Sequence, residues 1–165
     1  MAKNSVAKTN AARLLDKAGI AYSLIPYDVD PEHLDALHVA ECLNENVDQV
    51  FKTLILHGDK GYFVCVIPGN KEVDLKKAAK AIGAKKVDLI PMKELLPITG
   101  YIRGGCSPLG LKKPFPIFFH SSAMNYVNIF ISAGVRGLQI SVNPQLLIKY
   151  LSAELTDLIK EGVEL

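Results

Sequence analysis

The strongest constraint on how this chain folds is one stretch, V-F-K-T-L-I-L-H at residues 50–57 and Y-F-V-C-V-I-P at residues 62–68, divided by Gly58-Asp59-Lys60-Gly61. Two apolar runs of strand length, rich in β-branched and aromatic residues and split by a Gly/Asp turn, predict a β-hairpin near the centre of a sheet. One charge interrupts it. Side chains alternate along a strand, so Lys52 shares a face with Leu54 and Leu56, while Phe51, Thr53 and Ile55 take the other. An unpaired buried ammonium is too unfavourable to keep. Lys52 therefore reaches a cleft, is paired, or sits at the strand edge and carries its head into water on its aliphatic stem.

The chain is long enough to enclose that hairpin. Its 165 residues, 49% of them hydrophobic, can bury a core without disulfide or metal support and are expected to form one domain over 1–165. No apolar run approaches the length of a membrane span, and M-A-K-N-S-V-A-K-T-N at the start has no hydrophobic signal core, so a cytoplasmic location is expected. Cys42, Cys65 and Cys106 are widely spaced and include no C-x-x-C pair, which argues against a disulfide framework and a structural zinc. A net charge of +2 excludes a bulk polyanion binder, although lysines cluster at Lys76-Lys77, Lys80, Lys85-Lys86 and Lys112-Lys113. Such clusters are either solvated helix faces or nucleic-acid contacts.

Around the hairpin the pattern is mixed. Helical spacing runs from Ser5 to Ala18 with Gly19 as a stop, followed by a strand in I-A-Y-S-L-I-P-Y. A polar loop leads into a short helix over 35–43, and a second loop, N-E-N-V-D-Q, delivers the chain to the hairpin; together they suit a rim around whatever Lys52 faces. Asp74 caps a helix L-K-K-A-A-K-A-I closed by Gly83; V-D-L-I is strand-like; Pro91 opens a brief helix stopped at Pro97. Further strands are expected at I-F-F-H, at V-N-I-F-I-S with Val127, Ile129 and Ile131 on one face, and at L-Q-I-S-V. A helix begins at Pro144, and the tail A-E-L-T-D-L-I-K either packs or frays. Helices interleave with strands, but hairpins break a β-α-β alternation. The expected class is α/β or α+β, with a mixed, strongly curved, barrel-like sheet flanked by helices.

Several residues could carry chemistry. Gly104, Gly105, Ser107, Pro108 and Gly110 make a loop whose backbone can approach a ligand closely, or a purely structural turn. Cys106 within it has no neighbouring histidine in sequence, so a nucleophile is disfavoured. His33 and His38, five apart, would fall on different faces of a helix, and no metal site is expected. Arg136, between glycines in the turn that begins at Ser132, suits either a phosphate or carboxylate contact or a surface loop.

Four motifs occur in register: F-K-T-L at 51–54, L-K-K-A-A-K-A-I-G-A-K-K-V at 75–87, G-G-x-S-P-L-G at 104–110 and S-x-G-x-R-G at 132–137. With them the chain resembles, over nearly its whole length, the YbaK/EbsC family of Cys-tRNA(Pro) and related aminoacyl-tRNA deacylases. It is also similar to the editing domain inserted in bacterial prolyl-tRNA synthetases. The resemblance implies a trans-editing hydrolase of mischarged tRNA, with tRNA as partner, prolyl-tRNA synthetase as a candidate second partner, and no cofactor, DNA or membrane. Such a second site corrects errors that a pocket for small apolar side chains cannot prevent. It makes Lys52 the residue on which activity depends, with Tyr27, Thr53, Gly104, Gly105, Ser107, Pro108, Ser132 and Arg136 around the substrate. Lys76, Lys77 and Lys80 are candidate tRNA contacts. The implied mechanism has no protein nucleophile: Lys52 and the Gly104-Gly105 amides stabilise developing oxyanion charge, and the thiol of a cysteinyl substrate attacks its own carbonyl. Two positions depart from the family pattern, H-L-D-A-L at 33–37 in place of an aromatic loop residue and Gln139 in place of an acid, so amino-acid specificity stays open. Also open are a non-catalytic accessory module of the synthetase and a deacylase of different specificity.

Overall fold

The computed structural model describes residues 7–162. The hairpin forms as the alternation requires: β2 (Phe51–Gly58) and β3 (Gly61–Pro68) pair antiparallel from Phe51↔Pro68 to Gly58↔Gly61. Ahead of it come α1 (Asn10–Ala18), β1 (Tyr22–Pro26) and α2 (Ala36–Leu43). After it come α3 (Leu75–Ile82), β4 (Val87–Leu89), α4 (Leu95–Thr99), β5 (Ile117–His120), β6 (Ile129–Ser132), β7 (Leu138–Val142), α5 (Pro144–Leu151) and β8 (Glu154–Thr156).

Helix ends follow local chemistry. Thr9, Asp35, Asp74 and Asn143 each accept a backbone N–H at an N-cap, and Gly19 and Gly83 close α1 and α3 in the left-handed region. The first helix is shorter than expected. It starts at Asn10 because Thr9 caps it; Ser5 and Val6 lie outside the described residues. Pro97 does not stop α4, because it lies in the first turn, where a missing N–H breaks no bond; Gly100 (φ 85°) ends the helix instead. Val127 is not part of β6 and is 77% exposed, while Ile129 and Ile131 are fully buried. The tail packs: β8 pairs parallel with β5, Leu158 is fully buried, and its N–H donates to His120 Nδ1 at 3.2 Å.

The class is the mixed α/β one expected, but the strands form two sheets and no closed barrel. One sheet runs β4-β2-β3-β5-β8 and the other β1-β7-β6. Between them the main core packs Phe51, Ile55, Val64 and Val66 against Ile129, Ile131, Leu138 and Ile140. On the opposite face of the hairpin, Leu56, Phe63, Cys65 and Ile67 pack against Ala78 and Ala79 of α3. The two sheets touch edge to edge at one parallel bridge, Val50↔Phe130, whose residues pack under Val39 and Ala40 of α2. Because β4 covers only Leu56–Gly58 of β2, the earlier part of that strand keeps a free edge next to β6.

Candidate active site

That free edge opens into a cavity of about 570 Å³. It is lined by Val50–Ile55 of the hairpin, by Tyr27, Leu34–Leu37 and Val39, by Gly69-Asn70, by Arg103, Gly104 and Cys106, and by Ser132 and Gln139. Exposed Leu37, Leu89 and Met92 give it an apolar mouth. At a strand edge, side chains of both faces border the same opening, which is why Lys52 and Thr53 both line it despite pointing to opposite sides.

Lys52 lies half-buried on the face of Leu54 and Leu56, as alternation requires, and its Nζ donates to the Gly69 carbonyl at 3.2 Å. Burial lowers its pKa below the ordinary lysine value, and the charge of Glu72 works against that shift. Gly69 also lets α2 pack closely against this wall. A Cβ there would stand 1.9 Å from the Ala36 Cβ, so α2 can only reach the cavity wall over a glycine.

The glycine loop reaches the cavity through Gly104 (φ 84°) alone among its expected members. Gly105, Ser107 and Pro108 are buried behind it. The Gly105 N–H donates to Ile102 O at 2.9 Å, and Ser107 Oγ accepts the Leu109 N–H at 3.2 Å, so both build the loop. Among the expected oxyanion donors the Gly105 amide is therefore already used. Arg136 is a brace: its Nε donates to Arg103 O at 2.7 Å, and its stem lies against Gly104. Ser132 lines the cavity and accepts the Gly134 N–H at 3.1 Å, which leaves its hydroxyl proton to donate. Tyr27 lines the wall, and its N–H donates to Gly137 O at 2.9 Å.

Cys106 also lines the cavity, but burial pushes its thiol up to about 12, so it stays protonated at neutral pH. No cluster of three or more His, Cys, Asp or Glu able to hold a metal occurs among the described residues. His33 precedes α2 instead of lying on it, and its Nδ1 sits 2.6 Å from Asp30 Oδ2.

Three buried oxygens have no hydrogen-bond partner among the described residues and belong to residues lining this cavity: Thr53 Oγ1, Asn70 Oδ1 and Gln139 Oε1. Asn70 escaped the sequence reading because P-G-N-K reads only as a turn. Gln139 was visible in the sequence as the residue that stands in place of an acid after R-G-L.

The candidate tRNA lysines stand apart on α3 and line no part of the cavity. Lys76 and Lys80 are exposed, whereas Lys77 Nζ donates to Asp157 Oδ2 and to Ile159 O, each at 2.7 Å. Among the described residues no helix is long and apolar enough to cross a membrane.

The chain is similar to known proteins over most of its length. A family model described as "Aminoacyl-tRNA editing domain" matches residues 30–150. A protein of Enterococcus faecalis, provisionally named Cys-tRNA(Pro)/Cys-tRNA(Cys) deacylase EbsC, is 43% identical over 157 residues, covering 94% of this chain and 96% of that protein. The proline–tRNA ligase of Thermosipho africanus is 25% identical over 121 residues, 73% of this chain but only 21% of the ligase. A solved structure, provisionally described as a trans-editing enzyme for prolyl tRNA synthetase, superposes with a TM-score of 0.80. It is 22% identical and covers 93% of this chain and 99% of that one, which speaks for the fold.

Proposed function

The chain belongs to the aminoacyl-tRNA editing domain family, and from that premise we propose that it is a free-standing deacylase of mischarged Cys-tRNA(Pro). It is read as one domain acting in the cytoplasm, in trans to prolyl-tRNA synthetase. The observation that carries this reading is the half-buried Lys52 ammonium, held by Gly69 O within one cavity that also contains Tyr27, Thr53, Gly104 and Ser132.

The substrate is an ester between a carboxyl group and the terminal ribose of the tRNA. Lys52 donates to the ester carbonyl oxygen, and its charge offsets the negative charge that grows there as the carbonyl is attacked. The Ser132 hydroxyl, whose oxygen already accepts from Gly134, has its proton left to donate beside it. Gly105 and Ser107 hold the loop from behind, and the Arg136 brace keeps Gly104 at the wall. With Cys106 protonated, the attacking atom comes from the substrate or water. For a cysteinyl ester the substrate thiol forms the new S–C bond, the C–O bond to ribose breaks, and the thiol proton passes to the ribose oxygen. Water then opens the resulting thiolactone to cysteine. The exposed Lys76 and Lys80 are assigned to the tRNA backbone, and Lys77 to the tail.

A panel of Cys-, Ala- and Ser-tRNA(Pro) tests this directly. The parent is expected to deacylate Cys-tRNA(Pro) fastest and Lys52→Ala to lose the activity. A parent that binds but never deacylates any of the three refutes the enzyme reading in favour of an accessory module.

A further inference from the structure

We propose that Gln139 is the acceptor for the substrate's α-amino group, so that the site admits esters of free amino acids and rejects those whose nitrogen is acylated. The inference rests on the deacylase reading for the identity of the ligand, but on the cavity's own geometry for the polarity of the site.

Strand pairing sets that geometry. Residues paired at a bridge project from the same side of a sheet, and side chains repeat every second residue. Val50↔Phe130 bridges the two sheets, and two residues further along each strand come Lys52 and Ser132. Ser132 is in turn paired with Gln139. Lys52, Ser132 and Gln139 therefore project from one side in consecutive strands, β2, β6 and β7. Read across that row, the chemistry is polar in a fixed direction. Lys52 can only donate, the Ser132 oxygen already accepts from Gly134 and has its proton left to give, and Gln139 offers an unused acceptor.

Gln139 is 5% exposed, and its Oε1 has no partner among the described residues. A buried amide oxygen left without a donor is unfavourable, and a ligand that supplies the donor relieves that cost. An aminoacyl ester matches the row end for end. Its carbonyl oxygen needs donors, its α-amino group on the adjacent carbon carries N–H donors, and only one orientation satisfies both.

The other acceptors fit the amino group less well. Asn70 Oδ1 follows Gly69, whose carbonyl holds the Lys52 ammonium, and a second cation there would be repelled. Asp35 lines the cavity but is exposed, and its Oδ1 already accepts the His38 N–H. Thr53 Oγ1 belongs to the opposite strand face and reaches the cavity only at the edge. A substrate S–H is a weak donor and would leave the Gln139 oxygen poorly satisfied.

The test compares Cys-tRNA(Pro) with N-acetyl-Cys-tRNA(Pro) for the parent, Gln139→Met and Gln139→Glu. Loss of one hydrogen bond at a buried partner corresponds to about 10–100-fold. The parent is therefore expected to prefer the free amine by about that factor in kcat/KM. Gln139→Met is expected to collapse the preference, mainly through KM, whereas Gln139→Glu, which can still accept, retains it. Equal use of both substrates by the parent overturns the inference while leaving the deacylase reading intact. So does a Gln139→Glu variant that loses the preference, because the carboxamide would then be acting as a donor. Should Gln139→Met fail to fold, the parent and Gln139→Glu decide alone. Calorimetry with 3′-(L-cysteinylamino)-3′-deoxyadenosine and its N-acetyl form separates the two readings. Tighter binding of the free amine by a parent that turns over no ester sinks the deacylase reading and keeps this one.

Discussion

Replacing Lys52 with methionine removes the ammonium and keeps an unbranched stem of similar length, so its effects on stability and on rate can be worked out separately. On stability, the variant loses one hydrogen bond, to Gly69 O at 3.2 Å. That bond is long for an N–H donor, and a typical one contributes about 0.5–1.5 kcal/mol net. Against the loss stands the burial that lowers the Lys52 pKa, an unfavourable desolvation that methionine does not share. The two terms have opposite signs, so the net loss of stability should not exceed the hydrogen bond's own contribution of about 1.5 kcal/mol, a Tm change of about 3–6 °C at most. On rate, nothing compensates. A charged donor fixed where negative charge develops contributes about 100–1000-fold. Urea unfolding measures the first quantity, and single-turnover release of cysteine from Cys-tRNA(Pro) measures the second. The expected pair is a stability loss of no more than about 1.5 kcal/mol with a rate lower by at least about two orders of magnitude. A rate within about threefold of the parent would refute the assignment of Lys52. A rate loss accompanied by several kcal/mol of destabilisation would refute the claim that the ammonium is retained for chemistry and not for the fold.

Three further outcomes follow from the same contacts. Cys106→Ala should keep most of the deacylase activity, and Cys106 should resist alkylation up to about pH 9 in the folded protein, since its thiol is pushed up to about 12; rapid iodoacetamide labelling at neutral pH, read by mass spectrometry, would contradict this. Gly69→Ala should cost about 1–3 kcal/mol and displace α2, because the new Cβ would stand 1.9 Å from that of Ala36; an unchanged urea midpoint would mean that the wall is looser than the packing indicates. Reversing Lys76 and Lys80 to Glu should weaken tRNA binding and flatten its salt dependence by about two phosphate contacts, whereas Lys77→Gln should mainly release the tail that it ties through Asp157 and Ile159; equal salt slopes for parent and double variant would remove α3 from the tRNA footprint.

What the sequence determined by itself is local. Alternation placed Lys52 with Leu54 and Leu56, the Gly58–Gly61 turn specified the hairpin register, and Asp35, Asp74, Gly19 and Gly83 marked helix ends, because each of these depends on neighbours a few residues away. Motif order carried the family, since no tertiary knowledge is needed to read F-K-T-L or S-x-G-x-R-G. The division of labour within those motifs was illegible. Gly104 faces the cavity while Gly105, Ser107 and Pro108 support it, and Arg136 braces the loop through Arg103, because a motif records which residues occur together and not which way each points. The site itself was decided only in three dimensions. It exists because two sheets join at Val50↔Phe130, eighty positions apart, and because β4 leaves the start of β2 uncovered. Strand period tells which face a side chain takes but not which strand lies beside it, so the row Lys52, Ser132, Gln139 came from pairing alone.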